Sequence, residues 1–527
     1  MYKVLVTDPI SDKGLAIITD AGLELIYEPA LSPEVLNEVV SDVHGWVIRS
    51  GTTITAEHLA LAKNLQVIGR AGVGVDNIDI KAATNKGVLV MNMPDGNTIS
   101  AAEHTMALIS TLSRNIQLGH LGLVNGEWNR HALVGNELRG KTLGIVGLGR
   151  IGREVIKRAQ GFEMKILGYD PYVNQEMFNS EKVKVVDLDE LTTESDFISV
   201  HVPLTNNTRD LFDAERLATM KPTARIINVA RGGIINETDL ENALNNGVIA
   251  GAALDVFVSE PLGEDHPLVT AKNILITPHL GASTHEAKEG VSLGICEQVR
   301  DFLKEEKLSN PINMPILDMS KLKALTPFLD LAEVLGKIQF QLCDGPVKSV
   351  SVECFGNIDD AKPVALSFIK GILSESADVR LNFINTGAIA EDRGISFSHS
   401  YNSDSDSVSF SNLIMTHVTT QNGTTEVAGS VFGDNHARLV DIKGYEVDVR
   451  PEGVMVLIQN KDVPGVIGRV GMILGDAGVN IAEYLLSRSS DSDTAFSIIK
   501  IDEKLSDSVL STLNDMGEIL TIKQLQV

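Results

Sequence analysis

The chain has 527 residues, which is too long for a single hydrophobic core and predicts several domains. Its composition, 43% hydrophobic and 22% charged, is that of an ordinary globular protein, and no apolar run is long enough to span a bilayer. The formal net charge of −25 argues against nucleic acid and anionic membranes as partners.

The N-terminus and the cysteines bear on the cellular compartment. Residues 1–8 predict a first strand and lack the basic region and cleavage site of a signal peptide. Cys296, Cys343 and Cys354 are odd in number and have no metal-type spacing, so we interpret them as small buried hydrophobes. We therefore expect a cytoplasmic protein with reduced thiols and no metal site.

The first three hundred residues alternate apolar segments with helical patterns at βαβ spacing. This alternation predicts parallel, doubly wound sheets. The predicted strands are 3–7, 45–48, 66–69, 88–92, 142–146, 165–169, 197–200, 224–229, 249–254 and 273–276.

A glycine-rich turn follows the predicted strand at 142–146. Gly147, Gly149 and Gly152 allow the backbone to bend sharply and to approach a diphosphate, at which a helix N-terminus points. The next strand ends at Asp170, whose carboxylate can bind ribose hydroxyls and would repel a 2′-phosphate. The pattern predicts a Rossmann-like domain that binds NAD and not NADP. A purely structural glycine turn is the alternative.

The position of this turn divides the first part of the chain into two α/β units. The residues before the strand at 142–146 need a sheet of their own. Asn97–Ser100 is predicted to cap a long helix that bridges the two units, and a second crossing near 282–290 returns the chain. We therefore predict a substrate-binding domain at 1–96 and 283–312, a nucleotide-binding domain inserted at 97–282, and a substrate cleft between them.

The chain changes character after residue 310. Residues 310–315 contain two prolines and predict a linker. Residues 316–450 mix short helices with strands such as 348–353 and 412–419, which predicts an α+β domain. The serine- and aspartate-rich stretch 396–412 predicts a solvated turn or exposed strand without chemistry. Residues 453–527 predict a βαββαβ module that begins with a strand at 454–459.

Three chemically reactive side chains follow predicted strands of the nucleotide-binding domain, where open α/β sheets bind ligands. Arg231 can hold a carboxylate and polarise a carbonyl group. His279 can accept a hydroxyl proton near neutral pH, and Glu260 would orient the imidazole. Each residue alone has an ordinary structural interpretation. Together, beside an NAD site, they predict hydride transfer to or from a 2-hydroxy acid.

These motifs resemble those of a known family. The glycine turn with its acid, together with 229–233, 260–262 and 277–281, resembles the D-isomer-specific 2-hydroxyacid dehydrogenases. Residues 70–79, 126–130 and 444–448 are similar to the long branch of that family that oxidises phosphoglycerate, and the resemblance covers essentially the whole chain.

The resemblance implies a role for each matched residue. His279 is the acid–base, Glu260 its partner and Arg231 the cation that orients the substrate. Contacts to NAD are implied for Gly147, Gly149, Arg150, Ile151, Gly152, Asp170, Val202, Val229, Ala230, Asp255, His279, Gly281 and Ala282. Contacts to the phosphorylated substrate are implied for Arg49, Ser50, Arg70, Gly72 and Arg130, the last reaching a neighbouring subunit of a homodimer or homotetramer. Arg49 and Arg70 as mere rim charges are the alternative.

The resemblance also implies regulation. Residues 316–450 resemble the allosteric substrate-binding domain of the long branch, for which we assign no effector. Residues 453–527 resemble an ACT domain, in which Asp462 and Asn480 match effector ligands. L-Serine is the implied effector. The chain departs from the family at Gln459–Asn460, where relatives often carry a histidine, so serine inhibition is a hypothesis.

The implied reaction is the NAD-dependent oxidation of 3-phospho-D-glycerate to 3-phosphooxypyruvate, the first step of L-serine biosynthesis. A glyoxylate or hydroxypyruvate reductase would use the same catalytic residues, but such enzymes usually lack both C-terminal domains. A dinucleotide-sensing corepressor would reuse the fold to bind proteins and would tolerate a weak active site. Turnover of phosphoglycerate compared with glycerate distinguishes these alternatives.

Overall fold

Four β-sheets follow one another along the chain in the computed structural model. The structure describes residues 1–29, 33–316, 319–358, 360–377, 379–402, 410–433, 435–488 and 493–527. Two sheets are parallel, the third is mixed and the fourth is antiparallel. The predicted α/β class with two Rossmann-like sheets, an α+β region and a βαββαβ module is confirmed.

The first sheet has five parallel strands in the order β2-β1-β3-β4-β5. Its strands are β1 (Lys3–Val6), β2 (Glu24–Tyr27), β3 (Gly45–Ile48), β4 (Val67–Arg70) and β5 (Leu89–Asn92). The helices around it are α1 (Asp12–Asp20), α2 (Pro33–Val39), α3 (Ala56–Leu61) and α4 (Ile80–Lys86). Because the order changes direction between β1 and β3, their carboxyl ends border a crevice.

The second sheet has seven parallel strands in the order β12-β11-β10-β9-β6-β7-β8. Its strands are β6 (Thr142–Val146), β7 (Lys165–Tyr169), β8 (Val183–Val185), β9 (Phe197–Val200), β10 (Arg225–Asn228), β11 (Gly251–Leu254) and β12 (Ile274–Ile276). Its helices are α5 (Thr98–Arg114), α6 (Ile116–Val124), α7 (Arg150–Gly161), α8 (Leu188–Glu194), α9 (Ala214–Thr219), α10 (Glu237–Asn245) and α11 (Pro267–Thr270). The switch point lies between β6 and β9, directly beside the glycine turn.

Two segments return the chain to the first sheet. Helix α12 (His285–Glu305) packs its apolar face, including Ile295 and Val299, into the core around Val4 and Val47. The predicted linker is pinned to β5, because the Asn313 side chain accepts from the Val90 amide at 2.8 Å and donates to the Val88 carbonyl at 2.9 Å.

The start of α5 corrects one prediction. Asn97 occupies the N-cap position, but its side chain makes no capping hydrogen bond. Its Oδ1 and the Thr98 hydroxyl are instead buried without a hydrogen-bond partner among the described residues. The helix begins at Thr98, inside the segment predicted to cap it, so the predicted capping is wrong in detail.

The third and fourth sheets form the C-terminal part. The third has the order β14-β13-β15-β16-β17-β18 and the fourth β20-β21-β19-β22. The strands of the third are β13 (Ser349–Gly356), β14 (Ser396–Asn402), β15 (Asn412–Thr419), β16 (Thr424–Phe432), β17 (His436–Ile442) and β18 (Tyr445–Val449), with helices α13 (Met319–Leu342), α14 (Ala361–Leu373) and α15 (Thr386–Asp392). The fourth comprises β19 (Val454–Lys461), α16 (Val466–Asp476), β20 (Ile481–Arg488), β21 (Thr494–Ile501), α17 (Asp507–Asn514) and β22 (Ile519–Gln526). Short 3-10 helices span Val40–Asp42, Arg130–Leu133 and Gln175–Glu181.

The serine- and aspartate-rich stretch begins with the exposed strand β14, in agreement with one of its two predicted forms. Residues 403–409 of that stretch lie outside the described residues.

The last two sheets share one hydrophobic core. Met455, Leu457 and Phe496 of the fourth sheet pack in the same buried cluster as Leu335 of α13. The ring of Tyr445 stacks on Phe496 with centroids 5.1 Å apart. One face of the ACT-like sheet is therefore covered by the preceding region.

Candidate active site and cofactor site

The glycine turn is shaped for close approach of a ligand. Gly147 has φ +100°, and a Cβ there would lie 2.6 Å from the carbonyl oxygen of His201. A Cβ at Gly152 would lie 2.2 Å from the Gly147 carbonyl oxygen. Gly149 is the N-cap of α7, and a Cβ there would have no atom within 4 Å, so the first helical amides receive no side-chain cap from this residue. This arrangement fits a diphosphate at the helix N-terminus.

Asp170 lies beside this turn at the end of β7. Its Oδ2 accepts from the Leu148 amide at 3.1 Å, and its Oδ1 accepts from the Tyr172 amide at 3.0 Å. Each carboxylate oxygen has two lone pairs, so acceptors remain for ribose hydroxyls. These remaining acceptors fit the ribose hydroxyls on the adenosine side of NAD.

The other residues expected near the phosphates differ in exposure. Arg150 is exposed, and its Nε pairs with Asp95 Oδ1 at 2.7 Å. The Ile151 side chain packs against the core under α7. Val202 follows β9, and its Cγ1 would lie 3.0 Å from a Cβ at Gly147. The Arg150 side chain is therefore paired with a residue that follows β5 of the first sheet. Ile151 could bind a phosphate only through its backbone amide.

Asp255 anchors the turn that follows β12. Its Oδ1 accepts from the Thr277 hydroxyl at 2.6 Å and the Leu280 amide at 2.7 Å, and its Oδ2 accepts from the Gly281 amide at 2.8 Å. His104 Nε2 lies 3.2 Å from Oδ1. Burial alone would raise the pKa of Asp255, but the hydrogen bonds from His104, Thr277 and the two amides outweigh it and lower the pKa.

Asp255 therefore makes four protein contacts and has little acceptor capacity left for a cofactor. Val229 and Ala230 follow β10, and Ala282 lies in the loop after β12. A Cβ at Gly281 would lie 3.0 Å from Val229 Cγ1 and 3.2 Å from Asp255 Oδ2. The predicted contacts of these residues with the nicotinamide side stay predictions.

His279 and Glu260 form a close pair. Nδ1 of His279 lies 2.6 Å from Oε2 of Glu260. Glu260 Oε1 accepts from the Phe257 amide at 3.0 Å, which fixes the carboxylate. His279 has φ +54°, a conformation that non-glycine residues rarely adopt, and its amide donates to the Asp255 carbonyl at 3.0 Å. The backbone is thus held in an unusual shape at the imidazole that sequence reasoning selected.

The backbone that follows Arg231 packs against the loop that carries Glu260. A Cβ at Gly232 would lie 2.0 Å from the Phe257 carbonyl, so the arginine segment packs on the loop that carries Glu260. Nε of Arg231 pairs with Asp76 Oδ2 of the first sheet at 3.1 Å, and Nη1 donates to the Ala230 carbonyl at 2.8 Å. Three of its five N–H donors remain, enough for a bidentate grip on a carboxylate.

The first sheet brings two more arginines to the same cleft. Arg49 follows β3, and Arg70 ends β4. Burial, together with the charges of Arg231 and Arg49, lowers the pKa of Arg70 to about 10. The Nε of Arg70 is buried and has no hydrogen-bond partner among the described residues. A cationic cluster with unused donors therefore faces Arg231.

The two small residues predicted near these arginines have different surroundings. Ser50 is exposed in the loop after β3. Gly72 has φ +151°, and a Cβ there would lie 1.6 Å from Arg70 Nη1. Only glycine leaves space for the guanidinium.

Arg130 is separate from this cluster within the chain. It lies exposed in a 3-10 helix after α6 and lines a surface pocket of about 470 Å³. Apolar residues of α6, including Leu118 and Leu121, line the same pocket.

Comparisons with known proteins identify the family. Residues 106–281 match the family "D-isomer specific 2-hydroxyacid dehydrogenase, NAD binding domain", 324–443 the "D-3-phosphoglycerate dehydrogenase intervening domain", and 454–518 the "ACT domain". D-3-phosphoglycerate dehydrogenase from Methanocaldococcus jannaschii is 41% identical over 522 residues, which are 98% of this chain and 98% of that protein. The chain belongs to the D-3-phosphoglycerate dehydrogenase family. The resemblance read from the sequence is confirmed.

Other members and solved structures extend this comparison. D-3-phosphoglycerate dehydrogenase from Bacillus subtilis is 38% identical and covers 99% of both chains. The structure of NAD-dependent formate dehydrogenase from Staphylococcus aureus in complex with NAD is 32% identical with TM-score 0.54 and covers 60% of this chain and 99% of that one. The NAD-binding domain of this D-3-phosphoglycerate dehydrogenase family member is therefore of a type known from solved structures.

The ACT domain of this D-3-phosphoglycerate dehydrogenase family member indicates a small-molecule effector. The two predicted effector residues do not meet within one chain. Asp462 follows β19 and pairs with Arg488 at 3.2 Å, at one end of the sheet. Asn480 precedes β20 at the opposite end, where its Nδ2 donates to Asp502 at 3.0 Å.

Sequence reasoning missed several polar residues around the site of this D-3-phosphoglycerate dehydrogenase family member. His104 and Thr277 surround Asp255, and Asp8, Asp76 and Asn77 bind the segments that carry Arg49 and Arg231. Asp8 lies two residues after the end of β1, and both Asp76 and Asn77 lie in the loop between β4 and α4. Their positions in loops at the carboxyl edge of the first sheet were the available signal.

Proposed function

We propose that the chain oxidises 3-phospho-D-glycerate to 3-phosphooxypyruvate with NAD, the entry step to L-serine biosynthesis. The observation that carries the proposal is the His279–Glu260 pair at 2.6 Å beside Arg231, opposite the arginines of the first sheet. Relatives that match over nearly their whole length and are named D-3-phosphoglycerate dehydrogenase support the substrate.

The proton moves through His279. Its Nδ1 faces a carboxylate, which only accepts hydrogen bonds, so Nδ1 carries a hydrogen and Nε2 is free to accept the hydroxyl proton of the substrate. Glu260 stabilises the imidazolium that results. Bound NAD supplies the hydride acceptor. Arg231 holds the carboxylate of the substrate and keeps its C2 hydroxyl oriented toward His279.

Arg49 and Arg70 provide the charge that the phosphate needs. Unphosphorylated 2-hydroxy acids lack that group, so the two guanidinium groups would gain no partner from them. The arginine cluster in a chain of net charge −25 supports a multiply charged substrate.

Initial rates of NADH formation with a panel of D-2-hydroxy acids test the function. We expect 3-phospho-D-glycerate to have the highest kcat/KM and NAD to be preferred over NADP. Equal values for phosphoglycerate and glycerate would favour a hydroxypyruvate or glyoxylate reductase. The absence of turnover with all substrates would favour a dinucleotide-sensing role.

A homodimer through α6 is the further part of the proposal. None of the nine residues of α6 is buried, and five of them are apolar. Leu121 is 47% exposed and the nearby Trp128 is 81% exposed. A second copy that covers this face would bury both residues and bring Arg130 to the neighbouring site.

L-Serine as the effector and a cytoplasmic location complete the proposal. The separation of Asp462 from Asn480 supports an effector site between two ACT domains. Inhibition by serine in steady-state assays tests it, and an unchanged rate at millimolar serine would contradict it.

The three unpaired cysteines support a reducing compartment. None of the described helices combines the length and apolar composition of a membrane span.

A further inference from the structure

The loop Arg49–Thr52 is bound at both ends by one carboxylate. This loop follows β3 at the switch point of the first sheet. Oδ2 of Asp8 accepts from the Arg49 amide at 2.6 Å and from the Thr52 amide at 3.1 Å. The first and last N–H groups of the loop therefore share one oxygen.

A second side chain binds the carbonyl groups of the same two residues. Nδ2 of Asn77 donates to the Arg49 carbonyl and to the Thr52 carbonyl, both at 2.6 Å. Asp8 and Asn77 thus satisfy the donor and the acceptor at each end of the loop. Neither residue is a neighbour of the loop in sequence, so the arrangement depends on the fold.

Asp8 and Asn77, which we call the clamp, hold the loop against buried residues of the first sheet. Asp8 is 6% exposed, and a Cβ at Gly51 would lie 2.3 Å from its Oδ1. The Thr52 hydroxyl donates to the Thr7 hydroxyl at 2.9 Å, and this oxygen also accepts from the buried indole of Trp46 at 3.0 Å. These contacts hold the loop backbone from the core side. The Arg49 guanidinium, which donates to the Pro9 carbonyl at 3.3 Å, and the exposed Ser50 lie on the outer side.

The segment that carries Asn77, residues 74–77, also contacts Arg231. Asp76 precedes Asn77 and pairs with Arg231 across the cleft at 3.1 Å. A Cβ at Gly74 would lie 2.0 Å from Arg231 Nη2, so the segment also leaves space for the guanidinium. Residues 74–77 therefore contact both the loop and Arg231.

We propose that Asp8 and Asn77 are positioning residues that hold Arg49–Thr52 in the shape that presents Arg49 and Ser50 to the substrate phosphate. The proposal rests on the proposed function, because it takes Arg49 and Ser50 as phosphate contacts. It assigns to Asp8 and Asn77 no contact with substrate or NAD.

Steady-state kinetics of Asn77→Ala in the full-length enzyme test the proposal. Two hydrogen bonds to the loop are lost, so we expect KM for 3-phosphoglycerate to rise roughly tenfold or more. We expect kcat at saturating substrate and KM for NAD to stay within about threefold, because the proton-transfer pair and the glycine turn are untouched. Asn64→Ala is the matched control, since Asn64 is an exposed asparagine of the same domain.

A second pair of variants keeps the test independent of folding. Asp8→Asn retains an acceptor oxygen for the two amides, and Asp8→Ala removes it, so KM for 3-phosphoglycerate should rise less in the former. Thermal unfolding of each variant reports general damage. An unchanged KM for 3-phosphoglycerate in Asn77→Ala would overturn the proposed positioning role. A fall in kcat together with a matching rise in KM for NAD would also overturn it. Wild-type enzyme inactive on 3-phosphoglycerate would instead overturn the proposed function.

Discussion

Replacement of Asp255 by asparagine tests the hydrogen bonds that hold the turn around His279, the proposed acid–base. The carboxylate accepts from Thr277 and Leu280 through Oδ1 and from Gly281 through Oδ2. An asparagine that keeps its oxygen toward the first two donors turns its NH2 group toward the Gly281 amide, which is also a donor.

The expected loss of stability follows from these bonds. One buried N–H without a partner costs about 1–3 kcal/mol, and weakening two charge-assisted bonds to neutral ones costs about 1 kcal/mol in total. The sum is about 3 kcal/mol, which corresponds to a Tm lower by roughly 6–12 °C for a domain of about 150–250 residues. We expect kcat to fall as well, because the Leu280 and Gly281 amides next to His279 lose their charged acceptor.

The loss should depend on pH with a defined sign. The folded-state pKa of Asp255 lies below the ordinary value of 3.8, so its carboxylate stabilises the fold above that value, and the contribution is lost as pH falls through the folded pKa. The stability gap between wild type and Asp255→Asn should be constant from about pH 5 to 8 and close in stronger acid.

Thermal and denaturant unfolding across this pH range provide the assay. Asp265→Asn, at an exposed aspartate in the loop before α11, is the control and should leave the Tm unchanged. A gap of zero at neutral pH, or one that persists in strong acid, would refute the reasoning.

Three further variants test other parts of the molecule. Gly147→Ala places a Cβ 2.6 Å from a carbonyl oxygen at φ +100°, so NAD affinity measured by fluorescence titration should fall roughly tenfold or more, while Gly161→Ala, which meets no atom within 4 Å, should bind normally. Leu121→Asp places a charge on the exposed face of α6 and should shift the sedimentation coefficient toward the monomer, whereas the equally exposed Val379→Asp should not; an unchanged dimer would contradict the α6 interface. Asn382→Ala removes a 2.8 Å hydrogen bond to the C-terminal cap of α4, so hydrogen exchange at residues 85–88 should accelerate, and unchanged exchange would show that this contact between the third-sheet region and the first sheet is weak.

The apolar central strands could be predicted because parallel sheets bury both faces. Gly45–Ile48 and Phe197–Val200 are completely buried and match their predicted limits. The edge strands β2 and β8 were missed, because their short segments are partly exposed and carry charged residues. Periodicity detects burial, and these strands have little of it.

The polar contacts around the site could not be predicted from the sequence, for a different reason. His279, Glu260 and Arg231 could be selected because each follows a strand of one sheet. Asp8 and Asn77 act through hydrogen bonds over 41 and 28 residues of chain, and no spacing rule links them to Arg49. The shared core of the third and fourth sheets was also not predicted. The apolar pattern of each region predicts its own strands and helices but does not indicate which other region packs against them.

The most direct test of the central claim compares His279→Ala with wild type in two measurements, the initial rate of NADH formation from 3-phosphoglycerate and the affinity for NAD. We expect a kcat lower by roughly two to four orders of magnitude with NAD affinity nearly unchanged, because only the proton acceptor is removed. A variant that retains turnover, or that loses NAD affinity in proportion to its rate, would contradict the assignment of His279 as the acid–base.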